Sequence, residues 1–138
     1  HNVPTPILAA PSSAERPMDI QQIADRYVVL CRAGKHEQIQ DELYADDAIS
    51  IEAPGNQSGP LGNVEGLEAI REKGRKFMED VVELHGSWCS DPVVGGDWFT
   101  LAMGIDATYK SMGRVSMAEV AVYRVREGKI VHEQFFYG

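Results

Sequence analysis

The sequence predicts an α+β domain, with helices gathered on one face of an antiparallel sheet, and three observations lead there. Apolar residues recur at helical spacing in three stretches of the first half of the chain. The second half is rich in Val, Tyr, Phe and Ile in alternating runs, the types that suit a pleated, half-buried surface. The C-terminal run 115–138, VSMAEVAVYRVREGKIVHEQFFYG, reads as two long strands around a tight turn. Three helices followed by such strands fit a layer of helices on a sheet.

Residues 1–17 hold four prolines with Ser and Ala and no periodicity, so they are expected to be a flexible arm, and 18–138 the domain. The first helix runs from Asp19 to Ala33. Asp19 and Gln22 have the spacing of a capping box, Ile20, Ile23, Ala24, Tyr27, Val28 and Cys31 share a face, and Gly34 closes it. A shorter helix, about His36 to Tyr44, turns Ile39 and Leu43 inward, and Ala48 to Glu52 alternates as a strand. The loop PGNQSGPLGNVEG is of the kind that borders a site. Glu65 to Val81 forms the third helix, with Leu67, Ile70, Phe77 and Met78 buried. Gly74 within it costs about 1 kcal/mol against Ala and suggests close packing on the sheet. Strands follow over Val82–Asp91, Asp97–Lys110, Val115–Val125 and Lys129–Tyr137, as an antiparallel meander.

At 138 residues the chain suits one domain. A formal charge of −8 without a basic cluster argues against nucleic acid. No apolar run approaches the roughly 20 residues that span a bilayer, so no membrane partner is expected. Cys31 and Cys89 lack metal-type spacing and read as reduced core thiols. The expected location is cytoplasmic, an exported and processed chain being the alternative. Neither GxGxxG nor GxxxxGK[ST] occurs, and the four histidines show no paired ligand spacing. Neither a cofactor nor a metal is therefore expected.

What remains is carboxylates on apolar strands. Glu119 and Glu133 interrupt the terminal hairpin, and Asp106 the strand before it. Carboxylates on a face that should be apolar either pair with a cation or line a pocket. With a three-residue turn, Arg126-Glu127-Gly128, Ala121 opposes Glu133, and Glu119 and Glu133 become diagonal neighbours on the face of Met117, Ala121, Tyr123 and Val125. A two-residue connection Met112-Gly113 places Asp106 opposite Glu119, whereas a three-residue connection Ser111-Met112-Gly113 sends it to the other face. The two-residue version gathers the polar residues on one side and is the one adopted.

Desolvation and mutual repulsion would then raise at least one carboxyl pKa, giving an acid and a base on one wall. Asp106, Glu119 and Glu52 are the candidate catalytic carboxylates, with Tyr27, His85, Trp88, Tyr123 and Glu133 as substrate-binding candidates. Each has a structural reading as well: a solvated strand face for Asp106, a solvated strand end for Glu52, a satisfied core group for Tyr27 and His85. For Glu119 and Glu133 it is an ion pair with Arg114, Arg124 or Lys73.

The order of elements is similar to a known family. The two N-terminal helices, Leu43-Tyr44-Ala45-Asp46-Asp47-Ala48 entering a strand, Val64-Glu65-Gly66-Leu67-Glu68-Ala69-Ile70 opening a helix, and Glu127-Gly128-Lys129-Ile130-Val131 in the last hairpin resemble the SnoaL-like branch of the nuclear-transport-factor-2-like superfamily. The resemblance implies a curved sheet wrapped on helices as a cone-shaped pocket, often dimeric through the sheet. It also implies ketosteroid isomerase-like or polyketide cyclase-like chemistry, or a binding role without catalysis. By the same resemblance Asp106 and Tyr27 lie in elements comparable to those of the family's acid-base residues, and Glu52 near an isomerase base. Glu rather than Asp at position 52, and Ala121 near a second acid, depart from a steroid isomerase.

Two functions follow. One is a cofactor-free isomerase, cyclase or lyase acting on a small apolar carbonyl compound in a deep pocket. The other is a non-catalytic ligand-binding or dimerisation module. A homodimer through the sheet is expected in either case.

Overall fold

The computed structural model describes residues 18–138, and the arm expected over 1–17 lies outside them. Helix α1, Ile20–Arg32, starts where the Asp19 side chain accepts from the Gln22 amide and the Gln22 side chain accepts from the Asp19 amide, at 2.8 and 3.0 Å. It buries Ile23, Ala24, Tyr27, Val28, Leu30 and Cys31. Helix α2, His36–Leu43, leads directly into strand β1, Tyr44–Ile51, which begins before the alternating stretch because the polar Ala45-Asp46-Asp47 segment also extends. Val64–Glu65, expected to open the third helix, instead forms a short strand β2 paired with β1; Gly66, at φ 90°, separates it from α3, Leu67–Glu79.

Helix α3 buries Leu67, Ile70 and Lys73. Met78, expected to be buried, is exposed at its last turn, together with Val82 and Leu84 of the strand that follows. Gly74 does not pack on the sheet either: the nearest atom to a Cβ built there is Gln40 Nε2 of α2, at 3.9 Å.

Strands β3 (Val81–Cys89), β4 (Val93–Gly95), β5 (Trp98–Tyr109), β6 (Gly113–Arg126) and β7 (Lys129–Phe136) complete a curved, unclosed sheet of order β2-β1-β7-β6-β5-β3, with β4 beside β5. The sheet is mixed, not wholly antiparallel as expected, because β1 runs parallel to β7. The chain leaves β1, crosses by α3 to the far edge, and returns through the meander to lie along β1. Such a crossover is what parallel pairing requires, and alternation within a strand carries no record of it.

Two registers differ from expectation. Tyr109 opposes Gly113 across the turn Lys110-Ser111-Met112, so Asp106 pairs with Ser116 and Glu119 with Met103. Asp106 therefore lies on the face away from Glu119, a correction to the adopted two-residue turn. The last hairpin closes through two residues, Glu127 and Gly128, at φ 52° and 76°, both positive as a type I′ turn requires. That turn alone would put the two glutamates on opposite faces. A bulge at Val131 adds one residue to β7 and restores the parity, so Tyr123 opposes Glu133 and Ala121 opposes Phe135. Glu119 and Glu133 thus share the inner face but are farther apart than diagonal neighbours.

On that inner face Phe99 stacks on Tyr123 with centroids 4.7 Å apart, and Tyr27 of α1 closes on Tyr123 at 4.7 Å. Phe99, Leu101, Ala121, Tyr123 and Ile130 are buried, each large side chain contributing about 1.5–3 kcal/mol. Helices thus cover the Phe99 and Leu101 end of β5, while Met103 and Ile105 stay half-buried. The outer face keeps Trp88, Val120 and Phe136 exposed.

Candidate functional site

The inner wall carries a polar row where the cores of β1, β6 and β7 meet α3. Parallel pairing sets Ser50 of β1 opposite Glu133 of β7, and Ser50 Oγ donates to Glu133 Oε2 at 2.5 Å. Tyr44 OH donates to the other oxygen, Oε1. Burial pushes the Glu133 carboxyl above its ordinary pKa, against the pull of the Ser50 and Tyr44 hydrogen bonds. Both of its oxygens are thus engaged by the protein.

Lys73 reaches into the row from α3. Its ammonium donates to Ser50 Oγ at 2.6 Å, to Glu52 Oε2 at 2.8 Å and to the Gly62 carbonyl at 3.1 Å, which uses all three of its N–H groups. Glu52, just past β1, is held on its other oxygen by Tyr137 OH at 2.9 Å. The 53–63 loop folds back on the same residue, since Asn63 Oδ1 accepts from the Glu52 amide and Gln57 Nε2 donates to its carbonyl. The Lys73–Glu52 pair is largely buried, its side chains 10% and 14% exposed.

Glu119 differs from its neighbours. It is half-buried on β6 between Met117 and Ala121, and among the described residues no group hydrogen-bonds its carboxylate. Burial, then repulsion from Glu52 and Glu133, pushes its pKa up to about 7, with Lys73 pulling the other way. A carboxyl that changes charge near neutrality without a hydrogen-bond partner is suited to exchanging protons with a ligand.

The remaining candidates are placed elsewhere. Tyr27 and Tyr123 join hydroxyl to hydroxyl at 2.5 Å inside the core, and burial raises both well above the ordinary phenol range. Asp106 is on the outer face, in an ion pair with Arg114 at 2.9 Å, and that hydrogen bond holds its carboxyl below the usual range. His85 lies on the same face, hydrogen-bonded to Thr108 Oγ1 at 2.7 Å, and Trp88 lies over Gly104, where a Cβ would collide with the indole. Asp106, His85 and Trp88 therefore share no wall with Glu119. A half-enclosed depression of about 580 Å³ also lies on the outer side, around Trp98, Arg124 and His132. Among the described residues, no group of three or more His, Cys, Asp or Glu side chains is placed to hold a metal. No helix among them is long and apolar enough to cross a membrane.

Tyr44, Ser50 and Tyr137 join the site without having stood out in the sequence. A signal for Ser50 is present: it shares strand parity with Glu52 and Ala48. Lys73 falls on the apolar stripe of α3 with Leu67 and Ile70, where a lysine needs a buried partner.

The SnoaL-like domain model matches residues 18–137. The chain belongs to the SnoaL-like family. A Mesorhizobium loti protein described as a SnoaL-like polyketide cyclase is 38% identical, with a TM-score of 0.80 over 87% of this chain and 100% of that one. A Xanthomonas campestris protein of unknown function with a cystatin-like fold is 22% identical, at TM-score 0.71 over 88% and 92% of the two chains. A Catenulispora acidiphila protein of ketosteroid isomerase-like fold, in complex with trimethylamine, is 14% identical, at TM-score 0.64 over 85% of each chain. The last two show a common fold alone. No curated protein matches this SnoaL-like chain.

Proposed function

We propose that this SnoaL-like protein performs cofactor-free acid-base chemistry on a small apolar carbonyl compound, with Glu119 as the proton-transferring group. The observation that carries the proposal is the half-buried Glu119 carboxyl, raised to about 7 and free of protein hydrogen bonds among the described residues. Near neutrality it is present in both forms, so it can accept a proton from carbon next to a carbonyl and return it elsewhere on the same enolate. Half-buried Met103, Ile105, Met117 and Phe135 on the same face suit an apolar substrate. Lys73 acts by charge alone: its N–H groups are taken, and its proximity keeps the Glu119 pKa from rising further. Glu52, paired with Lys73, tunes Glu119 by the repulsion of its charge and does not itself serve as the base. Two copies pairing through the outer face, over Trp88, Val120 and Phe136, is the assembly that their exposure supports.

The test is α-proton exchange of small cyclic ketones in D₂O, followed by NMR. Wild type should accelerate exchange with a pH profile inflecting near 7, and Glu119→Gln should lose about 100-fold or more. A second reading, a ligand-binding module, is favoured by the mutual satisfaction of Glu133, Ser50, Lys73 and Glu52. It becomes the better reading if Glu119→Gln leaves exchange unchanged while the ketone still perturbs inner-face resonances.

A further inference from the structure

The outer-face depression is built where the sheet is interrupted twice. β7 carries the Val131 bulge against β6, and β1 pairs with β7 at Tyr44↔Ile130 and next only at Ile49↔His132. Bulges side by side open a ladder and re-aim the side chains around them. Across the gap runs one lateral row on one face: Trp98 opposes Arg124, Arg124 opposes His132, and His132 opposes Ile49.

The row is a set of recognition groups around one guanidinium. Trp98 and His132 meet edge to face at 5.4 Å, and the Arg124 guanidinium carbon lies 5.7 Å from the indole centroid. Among the described residues Arg124 Nε is buried without a hydrogen-bond partner, and Nη2 comes no closer than 3.9 Å to a carboxylate, that of Asp97. Burial closes Nε to an outside ligand, whereas the side chain as a whole is 39% exposed, so the Nη end is the part that can meet an acceptor. Arg126 and Lys129 add two more cations to the lining, against the carboxylates of Asp47 and Glu127, although the Lys129 ammonium donates to the Glu42 carbonyl at 2.7 Å. With Asp97 beside Arg124, three cations face three carboxylates, so the depression is neutral on a chain whose formal charge is −8. The volume of about 580 Å³ is in the range of small-molecule sites.

We propose that this depression binds a small planar carboxylate, its two oxygens on the Nη1–Nη2 end of Arg124 and its ring against Trp98 and His132. A carboxylate matches the guanidinium fork with two parallel hydrogen bonds, which a neutral amide cannot reproduce. The site is separate from Glu119, which lies on the opposite face of β6, and does not depend on the proposed chemistry there.

The experiment is a titration of the ¹⁵N-labelled chain with benzoate and, separately, benzamide, following the Trp98 indole and Arg124 Nε–H cross-peaks. Benzoate should move both saturably, and benzamide should bind about tenfold more weakly or less. Arg124→Gln should weaken benzoate by about tenfold or more, and Arg126→Gln by only about two- to threefold, with the other cross-peaks in place. Equal shifts from benzoate and benzamide would overturn the proposal, as would unchanged affinity in Arg124→Gln. Shifts of these cross-peaks with protein concentration and not with benzoate would also overturn it, and would assign the depression to contact with a second copy.

Discussion

Glu119→Gln makes the clearest case, because removing a catalytic candidate should stabilise the protein. Glu119 holds its proton with a pKa of about 7 when folded, against an ordinary value of 4.5. The folded state therefore binds the proton more tightly, and stability falls as pH rises from about 4.5 to about 7. At about 1.4 kcal/mol per pKa unit the loss has a ceiling of about 3 kcal/mol, and partial exposure with solvent screening brings the expectation to about 1–3 kcal/mol. Glutamine removes the titration and keeps the shape. In urea denaturation the variant should match or trail wild type near pH 4.5 and exceed it by about 1–3 kcal/mol near pH 8. Glu133 also has a raised pKa, but it is present in both proteins, so to first order its contribution cancels in their difference. A stability difference independent of pH across this interval would refute the reasoning, since Glu119 would then titrate as an ordinary carboxyl.

Lys73→Met should cost about 3 kcal/mol, because Glu52 stays largely buried without its cation, and Lys73→Met with Glu52→Gln should recover much of it; chemical denaturation of both checks this. The same single change removes the charge that opposes the shift of Glu119, so its pKa should rise further, read from the pH profile of ketone exchange. Gly74→Ala should stabilise by about 0.5–1 kcal/mol, seen as a higher Tm, because the site is helical and the nearest atom to the new methyl is 3.9 Å away. Had Gly74 packed tightly on the sheet, the change would destabilise instead.

The local parts of this fold were legible because their causes are local. The Asp19–Gln22 box, the apolar stripe of α1 and the glycine after the last turn are all written within a few residues. The long-range parts were not. Whether Asp106 faces Glu119 depends on whether the turn before β6 holds two residues or three, a one-residue choice that flips every side chain beyond it. In the last hairpin the expected three-residue turn and the observed two-residue turn with a bulge at Val131 keep the same parity, so the shared face of Glu119 and Glu133 was readable although their spacing was not. The parallel pairing of β1 with β7, which brings Ser50 to Glu133, joins segments 83 residues apart in sequence and leaves no periodic trace. Lys73 appeared only as one of several cations able to meet a buried carboxylate. Its partner, Glu52, follows from the fold.

Glu119 stands as a carboxyl poised near neutrality among groups that are otherwise satisfied. Carbon-detected NMR titration of the side-chain carboxyls tests it most directly, in wild type and in Glu52→Gln. Glu119 should titrate near 7 in wild type, well above Asp106 on the outer face, and its midpoint should move in Glu52→Gln. A Glu119 midpoint at or below 4.5, unmoved in Glu52→Gln, would contradict it and leave this wall a structural network.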